Sequence, residues 1–173
     1  MTTLQLSNAL LRPWAHDDAQ ALVRNANNWH IARNMRDIFP HPYTAADASD
    51  WLNRVVDQEP VTNFAIEVDR EAAGGISVHL GDDVYRRTAE IGYWLAEPHW
   101  GKGIVTEVVE AAVAYVFGTF DIVRIEAVVW EWNPASMRVL EKAGFTREAT
   151  LRRAITKDGR TVDAELFAVI RDG

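Results

Sequence analysis

Apolar residues change their spacing along this chain, and the changes mark out its elements. LQLSNALLRPW (4–14) suits a first strand. From Asp17 and Asp18 the spacing lengthens. HDDAQALVRNANNWHIARNM (16–35) predicts a helix with acidic residues in its first turn, where they complement the positive end of the helix dipole. FPHPYT then interrupts the chain with two prolines. Thr44 is placed to cap TAADASDWLNRVVDQ, in which Ala48, Trp51, Leu52 and Val55 recur at helical spacing. FAIEV (64–68), AAGGISVHL (72–80) and AEIGYWLAE (89–97) predict three strands separated by turn residues, in an antiparallel meander.

After the turn Gly101-Lys102-Gly103 the helical spacing returns. Val105, Val108, Val109, Ala112 and Val116 fall on one face, and Glu107 and Glu110 lie outside that stripe. IVRIEAVVW (122–130) reads as a strand, NPASMRVLEKAG as a short helix ending at Gly144, and LFAVI (166–170) as the last strand, reached through a turn at Asp158-Gly159. The order β, α, α, three strands, α, β, α, β, β predicts a mixed α/β sheet.

Composition narrows what such a sheet can serve. A chain of 173 residues with 48% hydrophobic content and no linker or repeat fits a single domain. The absence of cysteine excludes disulfides and thiolate zinc sites, and the five histidines show no paired ligand spacing, so no metal is expected. The start of the chain does not have the pattern of a signal peptide, and no apolar run approaches the roughly 20 residues that span a bilayer. The expectation is a cytoplasmic protein without a membrane partner. A formal charge of -7 argues against a nucleic-acid surface and favours a cationic partner.

WGKGIV (100–105) has a physical use. Glycine lets the backbone turn and a ligand come close, and a helix start presents unpaired N–H groups at a positive dipole end, which suits an anion. Neither the Walker spacing nor the dinucleotide fingerprint fits. The alternative is that Gly101 and Gly103 only turn a strand into a helix.

IGYWLAEPHWGKGIVTEVVEAAVAYVF followed by VVWEWNPASMRVLEKAGF resembles the GNAT acyl-CoA-dependent N-acetyltransferases, most closely the RimJ/RimL-like branch, and RDIFPHPYTAADASDW is similar to the N-terminal segment of that branch. The resemblance implies the GNAT fold, a single domain over 1–173 with a central mixed, mostly antiparallel sheet flanked by helices. It implies acetyl-CoA as cosubstrate, with Leu95, Trp100, Gly101, Lys102, Gly103, Ile104, Val105, Thr106 and Asn133 as its binding residues. Val105 departs from the family, which has Gly or Ala there. Trp29, Phe39 and Tyr43 fall in the part of the chain that covers the family's acceptor site, although aromatics so placed also serve packing.

Acetyl transfer to an amine poses two proton problems. A lysine-like amine, with a pKa of about 10.4, is mostly protonated at neutral pH, so a base must take a proton, directly or through water. Glu90 is the candidate, beside the reading of an ordinary outward-facing strand residue. The departing thiolate needs a donor. Many family members use a tyrosine where this chain has Leu140; the RimJ/RimL-like branch uses serine, which the resemblance carries to Ser136. Asn133 would bond the pantetheine arm, and it is equally a helix N-cap ahead of Pro134. The acceptor stays open between a protein N-terminus and a small amine such as an aminoglycoside or polyamine. A non-catalytic acyl-CoA sensor on the same fold is the alternative from another class, and a homodimer is left open.

Overall fold

The computed structural model describes residues 2–172. Among them eight strands form one open mixed sheet: β1 (Leu4–Gln5), β2 (Leu10–Pro13), β3 (Asn63–Val68), β4 (Glu71–Leu80), β5 (Thr88–Leu95), β6 (Arg124–Trp130), β7 (Thr146–Lys157) and β8 (Arg160–Ile170). Their spatial order is β1-β2-β3-β4-β5-β6-β8-β7. Five α-helices accompany the sheet: α1 (Ala19–Ala26), α2 (Trp29–Ala32), α3 (Ala45–Val55), α4 (Ile104–Thr119) and α5 (Pro134–Lys142). The chain divides into two compact units, one of residues up to Ser77 with Tyr93–Ile104, the other of Val78–Gly92 with Val105 onward.

In the first unit, the predicted first strand is two. Leu6 donates its N–H to the Ala9 carbonyl at 3.0 Å, closing a turn at Ser7-Asn8 between β1 and β2. β2, β3 and β4 then run antiparallel in order, the β3–β4 pairing being one the meander predicts. Arg12 on β2 ties this edge to the chain that follows. Its guanidinium grips Asp18 with two bonds of 2.8 Å, and its Nε reaches Glu67 on β3 at 2.5 Å. Paired in this way, the buried Asp18 carboxylate is not a stranded charge. The predicted helix over 16–35 is also divided. A 3₁₀ turn (His16–Asp18) leads into α1, the chain leaves the helix at Asn27 and Asn28, and α2 restarts for a single turn. Leu22, Ala26, Ala48, Leu52 and Val55 pack around Trp14 and Tyr43 in one core cluster.

In the second unit, α4 buries Val108, Val109, Ala112 and Val116 of the predicted stripe and leaves its Val105 half-buried; of the two glutamates outside it, Glu110 is exposed and Glu107 half-buried. β6 begins at Arg124, two residues later than the apolar run suggests, and lies parallel to β5 from Thr88↔Arg124 to Glu90↔Glu126. The hairpin of β7 and β8 turns at Asp158-Gly159, and its second strand is the inner one, between β6 and β7. Accordingly β8 buries Val162, Ala164, Phe167 and Ala168. β7 is the edge, with Arg147, Glu148, Arg152 and Arg153 exposed along it, a charged strand that discourages further pairing. The ladder slips between Leu151 and Ile155, where Arg153 has φ 53 and donates its N–H to the Asp163 carboxylate at 2.7 Å. The basic pair Arg152 and Arg153 therefore stands on a bulge rather than on a regular strand face.

Candidate active site

The glycine turn belongs, up to Ile104, to the first unit. β5 ends at Leu95, so Glu97 is not its last residue; Glu97–His99 form a 3₁₀ turn instead. The Trp100 indole then donates Nε1–H to the Leu95 carbonyl at 2.7 Å, and the Trp100 N–H bonds the Glu97 carbonyl at 3.1 Å. These two bonds fix the entry to the turn. Gly101 and Gly103 have φ of 71° and 77°, a backbone region L side chains rarely adopt. Apart from chain neighbours, no atom lies within 4 Å of where a Cβ on either residue would stand. The glycines are thus required by the turn and not by packing, and the space over them is open. Ile104 is buried, Val105 and Thr106 are half-buried, and Lys102 is exposed. A turn that delivers an open helix start fits a pyrophosphate held by backbone N–H groups.

The three predicted acceptor residues share the first unit but differ in exposure. Trp29, at 44%, is open to solvent and lies 5.7 Å, centroid to centroid, from the His41 ring. Phe39 is half-buried between Tyr43, at 5.3 Å, and Trp94, at 5.7 Å. Tyr43 is only 6% exposed and belongs to the core cluster; its backbone N–H is held by Asn27 Oδ1 at 3.0 Å. Burial, with the nearby Asp47 charge, pushes the Tyr43 phenol up to about 12.

Glu90, Asn133 and Ser136 lie in the second unit. Glu90 is half-buried on β5, directly across from Glu126 on the parallel β6, so both side chains share one face. That face carries a charge network: Arg124 Nε donates to Glu126 at 2.6 Å, and its two terminal nitrogens bond Glu148 on β7 at 3.0 and 2.6 Å. The guanidinium holds the Glu148 carboxyl below the usual carboxylate range. Asn133 is the N-cap of α5, its Oδ1 accepting the Ser136 N–H at 3.3 Å, with Pro134 in the first turn. Ser136 is half-buried, whereas Leu140 is fully buried and part of the core.

Beside α5, Trp130 and Trp132 meet edge to face at 5.9 Å; Lys157 Nζ stands 5.9 Å from the Trp130 ring centre and the Arg160 guanidinium 5.8 Å from that of Trp132. Trp130 is buried and Trp132 half-buried. Their pairing with cations from the β7–β8 hairpin had no local signal. Among the described residues no cluster of three or more His, Asp or Glu is arranged to hold a metal, and no helix is long and apolar enough to cross a membrane.

An open mixed sheet in which one strand feeds a glycine turn and a helix start is the architecture of acyl-CoA-dependent N-acetyltransferases. Comparison with known proteins assigns the family. Residues 8–146 match the acetyltransferase (GNAT) domain, and the chain belongs to that family. It is 36% identical over 175 residues, covering 97% of this chain and 96% of the relative, to the uncharacterized N-acetyltransferase YoaA of Bacillus subtilis. It is 30% identical over 122 residues, 70% of this chain and 66% of the relative, to the putative ribosomal N-acetyltransferase YdaF of the same species. In solved structures it resembles RimL, a ribosomal L7/L12 α-N-protein acetyltransferase in complex with coenzyme A, with a TM-score of 0.82, 21% identity and 95% of each chain covered. The protein is therefore an N-acetyltransferase that uses acetyl-CoA.

Proposed function

We propose that this enzyme acetylates a protein N-terminal α-amine, with the cosubstrate seated by Leu95, Trp100–Thr106 and Asn133 and the acceptor met by Trp29 and Phe39, Tyr43 packing behind them. The observation that carries the cosubstrate part is the pair of positive-φ glycines with open space above them at the start of α4. Similarity to a putative ribosomal N-acetyltransferase supports the α-amine as acceptor. An α-amine has a pKa of about 7.7–8.0, so far more of it is neutral near pH 7 than of a lysine side chain.

In this reading Glu90 accepts the proton that the amine loses as its nitrogen bonds the acetyl carbon, directly or through water. Ser136 donates its hydroxyl proton to the sulfur as the C–S bond breaks, and its own oxygen is reprotonated from solvent. Charge is thereby kept off both leaving and attacking atoms at the moment it would develop. Asn133 orients the arm that carries the thioester while its Oδ1 keeps α5 capped.

The test is thiol release from acetyl-CoA with a panel of peptides, polyamines and aminoglycosides, repeated with Glu90→Gln. Peptides with a free N-terminus are expected to give the highest kcat/KM, and N-terminally blocked peptides none. Glu90→Gln is expected to lower kcat/KM and flatten an acidic limb of its pH profile. A polyamine that outpaces every peptide would replace the acceptor assignment. An unchanged profile in Glu90→Gln would leave Glu90 as a strand residue.

A further inference from the structure

The geometry points to Glu97 as a positioning residue: its carboxylate clamps the two residues that flank Trp29 and so sets how that ring meets the acceptor amine. This rests on the reading of Trp29 given above. Asn28 Oδ1 accepts the His30 backbone N–H at 2.8 Å, which caps α2. Because an N–H can only donate, the amide is fixed with its oxygen toward the helix and its nitrogen outward. That nitrogen donates to Glu97 Oε2 at 2.7 Å. His30 Nδ1 lies 3.1 and 3.0 Å from the two Glu97 oxygens; an ionised carboxylate only accepts, so Nδ1 carries a proton. The amide of Asn28, then His30, holds the Glu97 carboxyl below the ordinary range, as hydrogen bonds to its charged form require.

The two ends of this clamp differ in rigidity. Glu97 follows Ala96, which is buried and donates its N–H to the Ala73 carbonyl at 2.7 Å, and its own carbonyl holds Trp100. α2 is one turn of four residues, too short to persist by itself. Ile31 and Ala32 bury its inner side, while Trp29 and His30 are exposed on the outer side. Losing the clamp would therefore free the outer side of α2 and leave the entry to the glycine turn in place.

Five proteins test this: the unmodified enzyme, Glu97→Ala, Glu97→Gln, Trp29→Ala and the double variant of Glu97→Ala with Trp29→Ala, each assayed with the best amine of the panel and titrated with acetyl-CoA by calorimetry. Glu97→Ala is expected to raise acceptor KM about tenfold, the scale of losing a charge-assisted hydrogen bond, with kcat and acetyl-CoA affinity within about twofold. Glu97→Gln should fall between, since its amide oxygen still accepts from Asn28 without the charge. The double variant should be no worse than Trp29→Ala alone, because Glu97 acts through that ring. Unchanged KM in Glu97→Ala, additive losses in the double variant, or an equal loss of acetyl-CoA affinity would each overturn the inference while sparing the acceptor reading. If Trp29→Ala itself leaves KM unmoved, the acceptor reading fails and the inference with it. Hydrogen exchange checks the physical step: Glu97→Ala should speed exchange at residues 28–33 and not at 100–106, and equal protection in both proteins would also overturn it.

Discussion

Helix α5 starts behind Asn133, whose side-chain oxygen takes up the Ser136 N–H, and Pro134 in its first turn has no N–H to satisfy. Helix α4 starts behind Gly103, a residue with no side chain to offer. The first start is closed by its own sequence. At the second, the residue in the capping place contributes only a turn of positive φ and open space. A helix start that can cap itself with an asparagine needs no ligand, and one preceded by glycine leaves its donors for an anion. α3 sides with α5: Thr44 and Asp47 exchange bonds in a capping box, Thr44 N–H to Asp47 Oδ2 at 2.8 Å and Asp47 N–H to Thr44 Oγ1 at 3.3 Å.

The largest effect expected from breaking this comparison is on chemistry at the closed start. Ser136→Ala keeps the backbone N–H that Asn133 caps, so the fold should hold, while kcat should drop by about 10² to 10⁴ if the hydroxyl protonates the thiolate. Full kcat with chemistry rate-limiting would reject that role. Next comes the open start. Gly103→Val forces a β-branched residue into a φ of 77°, a strain of order 1–3 kcal/mol, and should weaken coenzyme A about 10- to 100-fold by calorimetry. Unaltered affinity would detach the turn from the cosubstrate.

Smaller changes sharpen the contrast. Asn133→Ala should cost about 1 kcal/mol of stability, seen as a lowered Tm, because here the cap belongs to the protein. In α3 the same logic depends on pH. The Thr44 hydroxyl, then its N–H, lower the Asp47 carboxyl, so its contribution is full above the unfolded value of about 3.9 and is lost as pH falls through the folded one. Asp47→Asn should therefore lower Tm at pH 6 and make little difference near pH 2. A constant gap at both would show that the charge is not what the box uses.

The self-closed starts could be read from sequence, as could the one behind the glycine turn. Thr44 and Asp47 stand three apart, and Asn133 directly precedes a proline, so each signal is local. What failed to show was long-range. The break between α1 and α2 falls where no Pro or Gly announces it, and Leu22, Ala26 and Ile31 are buried on both sides of it. It is made by Asn27 and Asn28, whose side chains bond Tyr43 N–H and Glu97, 16 and 69 residues away. Glu97 itself reads as the end of a strand until its partners are known. The bulge at Arg153 depends likewise on Asp163 across the hairpin. Tyr43 has the sequence neighbourhood of an acceptor residue, but its place in the core depends on where α1 and α3 pack.

The lysine beneath Trp130 matters for an enzyme handling an activated acetyl group. The chain carries only three lysines, at 102, 142 and 157, against fifteen arginines, whose guanidinium groups stay protonated and are poor nucleophiles. Lys157 is 7% exposed and set against an indole ring, so two side-chain amines remain open to adventitious modification. Prolonged storage with excess acetyl-CoA should accordingly leave Lys157 the slowest of the three to gain the 42 dalton mark of an acetyl group (about 42 by mass spectrometry), which makes its reactivity a gauge of whether the hairpin has stayed folded.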